Sequence, residues 1–111
     1  MTSGNVRSFT KANFTSDVLN SPLPVMLHFY ATWAEPCKQL TPIINSLADK
    51  YADQIVFGNV DVDRDEELAL EYGVTSVPTI FLIVDGVVKD QLTGYKDRQF
   101  LDIFCNQNLS K

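Results

Sequence analysis

The segment Val25-Met26-Leu27-His28-Phe29-Tyr30 constrains this chain more than any other. It is nearly continuous in apolar residues, it is bounded by the breaker Ser21-Pro22-Leu23-Pro24, and it is too short for a helix of ordinary length. Such a run reads as a β-strand covered on both faces, placed centrally in its sheet. A sheet with both faces covered calls for helices on each side.

The periodicities supply those helices. A short strand is predicted around Val6 to Phe9, then a helix capped by Thr10 with Phe14, Val18 and Leu19 as its apolar face. After the central strand and a loop from Ala31 to Pro36, residues Leu40, Ile43, Ile44, Leu47 and Tyr51 mark one face of a long helix. Pro36 suits its opening, and Pro42 removes one hydrogen bond inside it. Ile55 to Val62 reads as a second buried strand, and Glu66 to Tyr72 as a helix stopped by Gly73. Strands Thr79 to Val84 and Val87 to Thr93 flank Asp85-Gly86, a strong hairpin signal. A last helix, Arg98 to Asn106 behind Asp97, is expected to turn Phe100, Leu101, Ile103 and Phe104 to the core. The expectation is an α/β chain ordered β-α-β-α-β-α-β-β-α, parallel early and antiparallel late, in one domain spanning residues 1–111.

Charge and composition narrow the function. A net charge of -5 without a basic run disfavours nucleic acid and anionic membrane surfaces as partners. The longest apolar stretches fall short of the roughly 20 residues that span a bilayer, and the first twenty residues lack the apolar block of a signal peptide. The two cysteines, Cys37 and Cys105, are too few for a disulfide framework, which favours a reducing, cytoplasmic setting with the nucleus as a second compartment. With a single histidine they exclude a four-ligand Cys/His zinc site within one chain, leaving a metal bound between chains open, and no cofactor is expected. The acidic run Asp61, Asp63, Asp65, Glu66 and Glu67 reads as a solvated loop favouring the next helix's N-terminus, because it lacks the Gly and distal Glu of a calcium loop.

The chemistry concentrates at Trp33-Ala34-Glu35-Pro36-Cys37. A helix N-terminus after a buried strand stabilises a thiolate through backbone N–H groups and the helix dipole. Two cysteines spaced CXXC would exchange disulfides there, the first attacking and the second resolving. Here Ala34 holds the first position and Cys37 the second, so one thiol is left where the cycle needs two.

At these residues the chain resembles thioredoxin. The family loop WCGPC aligns on Trp33 to Cys37, the helix proline on Pro42, the cis-proline motif on Val77-Pro78-Thr79, and late glycines on Gly86 and Gly94. The resemblance implies a thioredoxin fold in cell redox homeostasis. It also implies a surface, made by Trp33, Pro36, Val77, Pro78 and Gly94, on which partner peptides dock independently of the sulfur chemistry. His28 stands where most thioredoxins bury an Asp that assists the second cysteine. A closer resemblance runs to the thioredoxin-like domains of multidomain monothiol glutaredoxins, which also tend to carry loops such as WAEPC and a His-Phe pair like His28-Phe29.

Three functions follow as expectations: a protein-binding module silent in dithiol exchange, with glutathione on Cys37 as a further partner; an active protein disulfide reductase whose first cysteine is replaced by Ala34 in this chain; and a thioredoxin-like co-chaperone. Plainer readings stand beside the site residues: His28 as a hydrogen-bonded core histidine, Cys37 as an inert buried thiol, Cys105 as a half-buried small residue and Trp33 as a ring packed over its loop.

Overall fold

The computed structural model describes residues 5–109, so residues 1–4 and 110–111 of the expected domain lie outside the described residues. Strands β1 (Val6–Ser8), β2 (Val25–Tyr30), β3 (Val56–Asp61), β4 (Thr79–Val84) and β5 (Val87–Thr93) alternate with helices α1 (Glu35–Lys50), α2 (Glu66–Glu71) and α3 (Arg98–Leu109). They form one five-stranded sheet in the order β1-β3-β2-β4-β5. β1, β3 and β2 run parallel; β4 pairs antiparallel with β2, and β5 antiparallel with β4. This is the α/β thioredoxin fold, a mixed sheet with helices on both faces.

β2 is the central strand, and every residue in it but Tyr30 is buried. Its side chains alternate between two cores. Met26 joins Leu40, Ile44 and Leu47 of α1 with Leu101 and Phe104 of α3, while Val25, Leu27 and Phe29 join Phe14, Val18, Leu68 and Phe81 on the other face. Each fully buried Leu or Phe contributes about 1.5–3 kcal/mol. At Gly58 of β3 a Cβ would lie only 2.0 Å from the nearest atom of the Phe9 ring, so no side chain fits there without moving Phe9. Asp85 and Gly86 both carry positive φ, 53° and 78°, the geometry of a tight two-residue turn that matches strand twist.

Three expectations need correction. The helix expected from Thr10 is a five-residue π-helical turn, Thr15–Leu19. Asn13 takes the Thr10 N–H on its own side chain at 2.8 Å, and Asn20 N–H reaches back five residues to the Thr15 carbonyl. A polar side chain competing for backbone groups shortens the helix, yet Phe14 and Val18 are still buried. Phe100 and Ile103 of α3 are 46% and 50% exposed, and Leu101, Phe104 and Cys105 form the buried stripe instead. The helix is rotated by about one residue from the expected orientation, which also makes Cys105 fully buried.

α1 and α3 are fastened at one corner. Tyr51 donates its hydroxyl to Asp102 Oδ1 at 2.5 Å, and Lys50 Nζ lies 2.8 Å from Asp102 Oδ2. These contacts hold the Asp102 carboxyl below its usual range, the Lys50 bond first and the Tyr51 bond second.

Candidate functional site

Three chain segments converge at one end of the sheet. Phe29 pairs with Thr79 as the last rung between β2 and β4, and Tyr30 pairs with Asp61 as the last between β2 and β3. The loop after β2, the segment after β3 and the residues entering β4 are therefore neighbours. The carboxyl ends of parallel strands are where α/β sheets commonly build sites.

Ala34 caps α1 in an extended conformation (φ -88°, ψ 120°) without a side-chain cap, and its carbonyl accepts the N–H groups of Cys37 at 3.1 Å and Lys38 at 3.2 Å. Pro36 stands in the first turn, where its missing N–H is harmless. Ala31, Ala34 and Cys37 form a small buried cluster edged by Tyr30, Val62 and Val77. Cys37 is 1% exposed, and burial pushes its thiol above the ordinary range although a backbone hydrogen bond at Ala31 opposes the shift. The thiol is buried below the loop. Cys105 belongs to the other core cluster, beside α1 and α3, and burial pushes its pKa up to about 12. Both cysteines are free.

Trp33 is 68% exposed, and its indole N–H donates to Asp63 Oδ2 at 2.9 Å. The ring is thus held over the loop by the segment after β3. Across from it, the Val77–Pro78 peptide bond is cis, Thr79 donates its hydroxyl to the Ser76 carbonyl at 2.7 Å, and Gly94, at φ 88°, donates its N–H to the Pro78 carbonyl at 2.9 Å. Between these walls runs a groove of about 540 Å³ lined by Trp33, Ala34, Glu35, Pro36, Val62, Val74, Thr75, Ser76 and Val77. Of the docking residues expected from the resemblance, Trp33, Pro36 and Val77 line it; Pro78 is buried behind, and Gly94 supports Pro78 from β5's end.

Beneath the site His28 is 2% exposed, with Nδ1 3.2 Å from Asn59 Oδ1 and Nε2 without a hydrogen-bond partner. Burial lowers its pKa to about 4, against the weaker upward pull of the Asn59 bond. At neutral pH the ring is uncharged, and Nδ1 is the protonated nitrogen if Asn59 accepts through oxygen.

The sequence does not point to Val62, Val74, Thr75 and Ser76 of the groove lining, nor to the polar partners Asn59 and Asp63. Asn59 occupies a buried strand where side-chain partners leave no local signature. Asp63 was read within a solvated acidic run, although an indole N–H in need of an acceptor is a signal that such a carboxylate can answer. Among the described residues no group of three or more His, Cys, Asp or Glu side chains is placed to hold a metal ion. Among them, too, no helix is long and apolar enough to cross a membrane.

Fold and loop together define a thioredoxin-type α/β domain with one cysteine at the redox loop. The thioredoxin family model matches residues 5–107, and the chain belongs to the thioredoxin family. It is 34% identical over 107 residues to thioredoxin C-2 of Corynebacterium nephridii, covering 96% of this chain and 99% of that protein. It is 35% identical over 104 residues to the thioredoxin of Rickettsia prowazekii, covering 94% and 99%. With mitochondrial thioredoxin of Mus musculus it shares 39% identity over 95 residues, covering 86% of this chain and 57% of the relative.

Proposed function

We propose that this thioredoxin-family chain acts in cell redox homeostasis as a protein-binding module that does not carry out dithiol exchange. One observation carries the reading: Ala34 occupies the exchange position above a Cys37 thiol that is 1% exposed. Disulfide exchange begins with an accessible thiolate, forms a mixed disulfide, and ends when a second thiol displaces the product. The loop has no side chain for the first step, and the other cysteine belongs to a different core cluster. The groove beside Trp33 and Val77 needs no sulfur to hold an apolar partner segment. Cytoplasm and nucleus are the proposed compartments, and glutathione on Cys37 would require the thiol to leave its buried cluster.

The test is an insulin-reduction assay with thioredoxin reductase and NADPH, run beside binding of a peptide from a thioredoxin substrate, read by Trp33 emission. Background-level reduction together with saturable binding is expected. Turnover at an ordinary thioredoxin rate overturns the proposal.

A second reading has support from the relatives, which are named thioredoxins: a protein disulfide reductase with Ala34 in place of its first cysteine. It is separated from the first by the codon for residue 34 in the source gene, where a cysteine codon decides for the reductase.

A further inference from the structure

The groove's lining is apolar at Trp33, Ala34, Pro36, Val62, Val74 and Val77, and its single charged member is Glu35. Asp61 and Asp63 bracket Val62, so two more carboxylates stand at the same end of the sheet. Their positions are fixed. Asp61 pairs with Tyr30 in the ladder and accepts the Asp63 N–H at 2.9 Å, and Asp63 holds the Trp33 indole. The negative charge of Asp61 reaches Tyr30, whose hydroxyl is pushed above its ordinary range by burial first and by Asp61 second.

Among the described residues no salt bridge engages Glu35, Asp61 or Asp63. No Lys or Arg lines the groove; Arg64, whose charge also reaches Tyr30, is exposed beyond Asp63. An apolar trough with one carboxylate in its lining, and two more flanking Val62 that no salt bridge among the described residues engages, is complementary to one kind of ligand. We infer that the groove selects an extended protein segment carrying an apolar side chain flanked by Lys or Arg, with the apolar group between Trp33 and Val77 and the cations against Glu35 and Asp61.

This rests on the protein-binding reading and adds the partner's charge to it. Opposite charge across an interface steers encounter and penalises wrong partners. The same carboxylates oppose a nucleic acid phosphate backbone. They also oppose a second copy of this chain, which carries a net charge of -5 and would set Glu35 and Asp61 against their own kind.

The experiment titrates the intact protein with two synthetic peptides, a leucine flanked by lysines and the same peptide with glutamates, following Trp33 fluorescence at low salt. The lysine peptide is expected to bind about fivefold tighter or better. The gap should close in high salt, where screening shortens the reach of each charge, and in the Glu35→Gln/Asp61→Asn variant. Asp61→Asn retains an oxygen to accept the Asp63 N–H. Equal affinity for the two peptides overturns the charge preference and leaves the protein-binding reading standing. Failure of both peptides to bind overturns both.

Discussion

The indole N–H of Trp33 donates to Asp63 Oδ2 over 2.9 Å, tying the loop after β2 to the segment after β3 along one wall of the groove. A hydrogen bond to a charged acceptor is worth about 1.5–3 kcal/mol when shielded, and less at an exposed site such as this one. Asp63→Ala should therefore leave the fold within about 1 kcal/mol of its original stability. Trp33 itself should respond more: its fluorescence anisotropy should fall as the ring is released, and peptide affinity should drop by about threefold. Unchanged anisotropy would show that the bond does not hold the ring.

Ala34→Cys is expected to give the chain a redox cycle. The backbone at this position already caps α1, so the new thiol would meet the N–H groups and dipole of the helix. Insulin reduction should rise clearly above background, and oxidation should remove a pair of titratable thiols without touching Cys105. A variant that folds and stays inactive would show that residue 34 alone does not account for the missing activity.

Cys37 and Cys105 should differ from a free thiol, and from each other, in alkylation. Burial raises both, Cys105 up to about 12. At neutral pH iodoacetamide should modify Cys37 more slowly than glutathione, and Cys105 more slowly still, with rates climbing as pH rises. Mass spectrometry after timed quenching reads the order. Rapid labelling or glutathionylation of Cys37 at neutral pH would reverse the account of a shielded thiol.

His28 makes stability pH-dependent in a defined direction. Its pKa falls from 6.5 to about 4 on folding, so the unfolded chain binds the proton more tightly. The stabilisation is complete above the unfolded value and is lost as pH falls from about 6.5 toward about 4, by up to roughly 3 kcal/mol. Urea denaturation across that range should show the decline. His28→Leu should remove this part of the slope whatever it does to absolute stability.

The strands were the most legible part of the chain. The apolar run at Val25–Tyr30 and the Asp85-Gly86 turn between Thr79–Val84 and Val87–Thr93 declare themselves through local chemistry, and the structure has those strand bounds. Helix faces were harder. Phe100 and Ile103 satisfy a helical stripe as well as Leu101, Phe104 and Cys105 do, and only the placement of α3 on the sheet chooses between them. At the site, the loop and Val77-Pro78 were readable because Trp, Pro and Cys are distinctive. Asn59 and Asp63 were not, because their roles come from strands and loops that are distant in sequence and meet only in the fold.

The rungs between β2 and β4 end at Phe29 and Thr79, and both walls of the groove are anchored there. The distance between the walls is thus a property of the sheet and not of the loop's letters. A change of the amino acid at position 34 that leaves the Phe29–Thr79 rung in place therefore alters the loop's chemistry while leaving the spacing of the groove's walls intact.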